Sequence, residues 1–271
     1  MTSETQPAPH PAHATAAPPR GEPLPLRLGY VALNLVQAAF VAVWTAFCVS
    51  AACVALLVSR RLPLVMARHL WAPPLVRISG ARLEVSGHDN VRRDEPQIFV
   101  SNHQSMLDIA LVFQAIPVNL RFVLKKELAY VPFIGLFAWA TGMIFVDRKN
   151  RRAAVASLER VGRLVRAGRT IIAFPEGTRS RGQGILPFKK GVFVSAVAAQ
   201  VPVVPVAIEG ADRVLPSDGF RVRPSVVRVK IGTPIPTQGL SQPDAEHLMR
   251  QAREAVTSLY DSIRLPPASL H

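Results

Sequence analysis

Cysteine is nearly absent: Cys48 and Cys53 are the only two in 271 residues. They stand five apart in one apolar run, so a straight helix points them in different directions. A disulfide framework, a zinc site and a cysteine nucleophile are therefore not expected. Acidic residues are scarce too, 18 against 32 Lys and Arg, and the net charge is +14. Such a balance suits nucleic acid, an anionic membrane or a phosphorylated substrate. Aromatic residues make up 7% of the chain, and none is interleaved with the arginines between Arg148 and Arg169. That gap argues against a groove for single-stranded nucleic acid, where bases stack on rings. There is no Walker or GxGxxG loop, no serine in a GxSxG elbow and no internal repeat. Nucleotide-phosphate cradling and an acyl-serine intermediate are thus not expected.

Charge is missing altogether from Leu28 to Ser59. A helix over that run is about 45 Å long, beyond the ~30 Å hydrocarbon core of a bilayer. It is the best membrane segment in the chain. Arg60, Arg61 and Arg68 follow it, which favours a cytoplasmic C-terminal side. Leu62 to Ile78 gives a second, shorter helix bounded by Pro63 and by Pro73-Pro74, with Trp71 at an interfacial position. Three units follow: a disordered Pro- and Ala-rich tail over 1–25, a membrane-attachment helical hairpin over 26–79, and a domain over 80–271.

That domain alternates strands with helices. Arg82 to Gly87, Ile98 to Val100, Arg121 to Leu124, Thr170 to Phe174, Val201 to Ile208 and Val226 to Ile231 read as strands. The fifth of these is broken by Pro202 and Pro205. Asp108 to Phe113, Asn150 to Ala167, Val192 to Ala199 and Pro243 to Ile263 read as helices. The fold class is α/β, a mostly parallel sheet flanked by helices. Leu128 to Val146 also lacks charge, but Pro132, Gly135 and Gly142 interrupt it. It fits a short buried helix plus a strand, lining an acyl-chain groove or touching the bilayer.

His103 and Asp108 stand at the turn from strand to helix. Five apart, they lie about 140° apart on a helix. If His103 precedes the helix and Asp108 sits in its first turn, the carboxylate can reach back to the ring. The pair is then a base and its orienter. Ser105, three before Asp108, fits a capping arrangement. Two further loops follow strands, Asp147-Arg148 and Glu176-Gly177-Thr178-Arg179, with Lys189 and Lys190 beyond. In an open α/β sheet such loops meet at the carboxyl edge of the strands. A base among cations suits a phosphate-bearing substrate whose hydroxyl must be deprotonated.

Asn102-His103-Gln104-Ser105-Met106-Leu107-Asp108 resembles the first motif (NHxSxxD) of the lysophosphatidic acid acyltransferase family, the bacterial 1-acyl-sn-glycerol-3-phosphate acyltransferases. Gly142-Met143-Ile144-Phe145-Val146-Asp147-Arg148 is similar to the second, with Val146 where Ile is commoner. Phe174-Pro175-Glu176-Gly177-Thr178-Arg179-Ser180 matches the third, and Val201-Pro202-Val203-Val204-Pro205-Val206 resembles the fourth. The resemblance covers roughly Gly80 to Thr233. It implies acyl transfer from acyl-CoA or acyl carrier protein to the 2-hydroxyl of lysophosphatidic acid, giving phosphatidic acid. His103 would be the general base and Asp108 its orienter. Arg148, Glu176, Gly177, Thr178 and Arg179 would bind the phosphorylated glycerol, helped by Lys189 or Lys190. Membrane lipids, the lysolipid and the acyl donor are the implied partners, at the cytoplasmic face of the bacterial inner membrane. No nucleic acid, metal or cofactor is implied. Oxyanion donors are expected among the backbone amides near Ser105. One alternative keeps the chemistry and changes the acceptor, to lyso-ornithine lipid, glycerol 3-phosphate or another lysolipid. The other is a non-catalytic membrane protein that binds anions, which would not need both His103 and Asp108.

Overall fold

The computed structural model describes residues 24–131, 134–147, 150–217 and 221–264. The expected tail, 1–25, lies almost wholly outside them. Helix α1 (Leu24–Ala55) is followed by a second arm made of α2 (Leu62–Met66), a π-helical segment (Ala67–Trp71) and α3 (Ala72–Ile78). The prolines do not end this arm as the sequence suggested. Pro73 and Pro74 enter α3 near its start, after the wider π turn. Proline lacks an N–H, and the first turn of a helix has no partner for one.

The chain then runs β1 (Ala81–Ser86), β2 (Ile98–Ser101), α4 (Asp108–Ala115), β3 (Leu120–Lys125), α5 (Ile134–Ala140), β4 (Ile144–Val146), α6 (Arg151–Arg166), β5 (Thr170–Ala173), α7 (Gly191–Ala199), β6 (Val203–Glu209), α8 (Ala211–Val214), β7 (Ser225–Ile231) and α9 (Ala245–Ile263). The strands form one seven-stranded sheet in the order β1-β7-β6-β2-β5-β3-β4. Only the β6–β7 pair is antiparallel; the other pairs are parallel. One face of the sheet packs on α3, α4 and the hairpin through Phe99, Leu111, Phe122 and Ile172. The other packs on α6, α7 and α9 through Val100, Ile171, Phe193 and Val256.

Pro205 corrects the expectation of a broken strand, because β6 runs through it. Its neighbour β7 stops at Ile231, and the chain rejoins β6 only where Ile235 bridges Val203. In that gap Gly232 donates to the Pro205 carbonyl at 2.8 Å. Pro205 thus stands at the last position of the β6–β7 ladder, where its carbonyl is used and its missing donor breaks no interior pair.

Asn102 continues the ladder with its side chain. Its Nδ2 donates to the Ile208 carbonyl, and the Ile208 N–H donates to its Oδ1, both at 2.8 Å. This pair holds the chain where it leaves β2 for the turn that carries His103. Asn102→Ala strands two buried backbone groups. The expected cost is about 2–4 kcal/mol in urea denaturation, and an unchanged midpoint would refute this role.

Helix α1 has two faces. Asn34 accepts from the Val222 N–H at 3.0 Å, Gln37 donates to the Ile78 carbonyl at 2.7 Å, and Thr45 accepts from the Trp71 indole at 3.1 Å. These polar residues lie at helical spacing and pin the inner face, Gln37 and Thr45 to the second arm and Asn34 to the segment before β7. On the outer face Leu28, Leu35, Val36, Val43 and Val54 are exposed. Residues 28–55 of this helix have mean hydropathy 2.1, long and apolar enough to cross a membrane. Residues 128–146, by contrast, split into α5 and β4. The expected buried helix is only half buried: Gly135 and Ala138 face inward, while Leu136 and Trp139 face out.

Candidate active site

The site is built at the carboxyl ends of β2 and β5, which are neighbours in the sheet. Strand β2 ends at Ser101 and α4 begins at Asp108, so His103 precedes the helix and Asp108 opens it. The carboxylate reaches back: Asp108 Oδ2 lies 2.7 Å from His103 Nδ1. The same oxygen accepts from the Gln104 N–H at 2.7 Å and the Ser105 N–H at 2.9 Å. Three donors converge on one acceptor. The Nδ1 atom therefore carries its proton, and Nε2 presents its lone pair. Asp108 is fully buried, and the His103 ring stacks on Phe174 with centroids 4.3 Å apart. One side of the base is thus fixed by a carboxylate and one face by an aromatic plate.

Two expectations about this turn change. The amides of Gln104 and Ser105 are spent on Asp108, so they are not free to hold an oxyanion. Ser105 forms half of the expected capping arrangement: its N–H donates to Asp108, but its hydroxyl accepts from the Leu107 N–H and not from that of Asp108. Its hydroxyl donates to the Leu215 carbonyl at 2.7 Å and accepts from the Leu107 N–H at 3.1 Å. It ties the turn to the loop after α8.

Glu176 joins the two neighbouring loops. Its Oε1 accepts from the His103 N–H at 3.0 Å, and its Oε2 accepts from the Leu186 N–H at 3.3 Å. The side chain is buried, and burial pushes its carboxyl up to about 8, with the His103 and Leu186 amides drawing it back. Expected as a substrate ligand, Glu176 has both oxygens on the protein's own backbone. Around it the loop is tied by Ser180 N–H to the His103 carbonyl at 2.8 Å and Lys189 N–H to the Pro175 carbonyl at 2.9 Å. Gly177 adopts a positive φ of 74° in this tight turn, which a side chain would strain. Thr178 is exposed, and Arg179 is half-buried.

The cations are spread along the edge. Lys189 is exposed, whereas Lys190 lies 3.7 Å from Glu246 of α9. Arg148 lies outside the described residues. Asp147, just before it, pairs with Lys126 at 3.0 Å at the end of β4. That end is two strands beyond β5 in the sheet, about 10 Å away at ordinary strand spacing. Among the described residues no group of three His, Cys, Asp or Glu side chains is placed to hold a metal ion.

An apolar cavity of about 470 Å3 lies between the hairpin and the domain. Val41, Cys48 and Ala67 line it from the hairpin, and Phe113 and Phe122 from the domain. Met106 and Leu107 of the His103 turn also line it, and among the described residues Arg179 is the one charged residue in its wall.

Other supports escaped the sequence reading. Tyr260 Oη accepts from Gln104 Nε2 at 3.3 Å, and Arg253 donates to the carbonyls of Ile185 and Leu186 at 3.1 and 3.3 Å. Both sit on α9, seven apart and so on one helix face. Nothing near them in sequence announces the loops they brace. The stripe Asn34, Gln37 and Thr45 was a legible signal, being polar residues at helical spacing inside an apolar run.

Comparison with known proteins agrees with this geometry. The Acyltransferase family model matches residues 82–209. The human 1-acyl-sn-glycerol-3-phosphate acyltransferase alpha is 33% identical over 185 residues, covering 68% of this chain and 65% of that protein. The 1-acyl-sn-glycerol-3-phosphate acyltransferase of Haemophilus influenzae is 36% identical over 137 residues, covering 50% of this chain and 57% of that one. The crystal structure of the 1-acyl-sn-glycerophosphate acyltransferase of Thermotoga maritima superposes with a TM-score of 0.77 at 26% identity, covering 89% of this chain and 99% of that one. With the His103–Asp108 pair seated where its motif demands, this chain belongs to the 1-acyl-sn-glycerol-3-phosphate acyltransferase family.

Proposed function

We propose that this protein transfers a fatty acyl group from acyl-CoA or acyl carrier protein to the 2-hydroxyl of 1-acyl-glycerol-3-phosphate, giving phosphatidic acid. The observation that carries this reading is the oriented His103–Asp108 pair in a turn that also walls an apolar cavity, with Arg179 in the same wall. Nε2 of His103 takes the hydroxyl proton, and the oxygen attacks the thioester carbonyl. The tetrahedral intermediate collapses, the C–S bond breaks, and the imidazolium returns its proton to the departing thiolate. Asp108 steadies the imidazolium meanwhile. A free thiol has a pKa near 8.5 and leaves readily, so this route calls on no cofactor beyond the donor. Arg179, Arg148 and Lys189 are assigned to the phosphate, with Gly177 and Thr178 offering a close backbone approach and a hydroxyl. Lys190 and Glu176 act more remotely, one beside α9 and one within the loop. The cations after α1 favour a catalytic domain on the cytoplasmic face of the inner membrane.

The test offers acyl-CoA and acyl carrier protein donors to detergent-solubilised protein with lysophosphatidic acid, lyso-ornithine lipid or glycerol 3-phosphate. Thiol release and lipid product are followed together. Transfer to lysophosphatidic acid is expected to dominate; transfer only to another acceptor overturns the substrate, and none to any overturns the activity. The cavity gives a second measurement. Ala67 is buried in its hairpin wall, and Ala67→Phe removes room for several methylenes. At about 0.8 kcal/mol per buried CH2, long-chain transfer should fall about tenfold or more relative to short-chain transfer. An unchanged chain-length ratio would remove the cavity from the reaction.

A further inference from the structure

The outer face of α5 and the helical turn before it (Lys126–Tyr130) has no protein partner among the described residues. Trp139 is 69% exposed, Tyr130 74% and Leu136 54%. Five large apolar side chains, with Val131 and Ile134, are a patch that water does not favour. The inner face of α5 packs against α1, and Phe137 and Ala138 share the cavity wall with Val41 and Cys48. The outer faces of α1 and α5 therefore adjoin, and α1's is the long apolar face described above.

Charge brackets the patch. Lys125 ends β3 and Lys126 opens the turn that ends at Tyr130, the two paired with Glu127 at 3.3 Å and Asp147 at 3.0 Å. At the other end Arg121 donates to the carbonyl of Thr141, directly after α5, at 3.0 Å. Arg121 is 7% exposed, and no carboxylate among the described residues pairs with it. Its guanidinium is lowered to about 10, by burial first and then by the nearby charges of Arg169 and Arg61. Arg60 and Arg61 close the hairpin turn, next to the exposed Leu57 and Val58. Aromatic rings at both ends of an apolar strip, with cations close by, are the pattern of a membrane–water interface. The exposed guanidiniums of Arg60 and Arg61, which no carboxylate among the described residues pairs with, gain from an external anion.

We infer that the outer surface of α5 and its preceding turn is a second membrane-docking element, on the catalytic domain itself, which seats in an anionic lipid leaflet beside α1. Tyr130 and Trp139 lie at headgroup level, Leu136 reaches the acyl chains, and the exposed Arg60 and Arg61 meet lipid phosphates. The domain is thereby held at two places rather than hung from one helix, which fixes its tilt to the bilayer.

The experiment uses the full chain and needs no turnover, so it stands or falls apart from the proposed reaction. Wild type and Trp139→Phe are bound to phosphatidylcholine vesicles containing phosphatidylglycerol, and flotation confirms binding. The difference between their fluorescence spectra isolates Trp139. Its emission should shift to the blue, and lipids brominated on the acyl chain should quench it about twofold or more. Phosphatidylcholine alone should weaken this docking about tenfold. Floated protein whose Trp139 stays unshifted, unquenched by bromolipid and open to aqueous iodide overturns the docking element. Equal quenching with and without phosphatidylglycerol overturns the anionic leaflet. Tyr130→Glu with Leu136→Glu should return Trp139 to water while short-chain, monomeric substrate is still turned over, because neither residue lines the cavity.

Discussion

Asp108→Asn is expected to lower kcat by about 100- to 10,000-fold with little loss of folded protein. The substitution is nearly isosteric, so the turn can keep its shape. With the asparagine oxygen in place of Oδ2, the three donors from His103, Gln104 and Ser105 are still met. The new NH2 then occupies the place of Oδ1, which is buried without a partner. What disappears is the negative charge beside the ring, needed when Nε2 has taken the substrate proton. If the amide flips instead, NH2 faces three N–H groups, and the ring is pushed to the wrong tautomer. His103→Ala should lose about as much, and the double variant little more than the worse single one, because the two act as a unit. Steady-state rates paired with thermal melts check this. A folded Asp108→Asn with near wild-type kcat would remove the base–orienter assignment.

Glu176 should produce the second large effect, on stability as well as rate. Glu176→Ala withdraws both acceptors and leaves the His103 and Leu186 amides unmet. The expected cost is about 2–4 kcal/mol of stability. A turn displaced by about 1 Å can lose on the order of 100-fold in kcat. Glu176→Gln removes the titrating group, and because its NH2 cannot accept it also gives up one of the two amide bonds, so the charge is read from the pH dependence of the difference rather than from its size. The folded-state carboxyl is raised from 4.5 to about 8, by burial first and by Asp108 nearby, against the two amides and Arg253. Between those values the folded protein binds the proton that the unfolded chain has released. The contribution is therefore fully present below about pH 4.5 and is lost as pH rises through about 8. Relative to wild type, Glu176→Gln should gain on the order of 5 kcal/mol across that window. Urea midpoints at a series of pH values measure it, and a flat difference would show that Glu176 does not titrate there.

Much of this architecture was legible one element at a time. The alternation of strands and helices announced a mostly parallel sheet, and the turn from β2 to α4 placed a histidine and an aspartate within reach. The same local logic failed at Pro205. Proline usually breaks a strand, but the outcome depends on where the neighbouring strand leaves. It failed again at the π turn, where the prolines of the second arm were absorbed rather than obeyed. Glu176 looked like a ligand because the loop is polar, yet its oxygens are taken by amides 73 and 10 residues away.

The sequence by itself determined the fold class, the apolar helix and the residues of the His103–Asp108 pair. These depend on periodicity, turn chemistry and spacing, which act over a few residues. Only the tertiary structure decided which polar atoms are already spoken for. It gave the Gln104 and Ser105 amides to Asp108, and Glu176 to the backbone. It turned one face of α1 inward, and left the outer face of α5 without a protein partner among the described residues. A hydrogen bond goes to whichever group the fold brings within 3 Å, and that neighbour can come from a distant part of the chain.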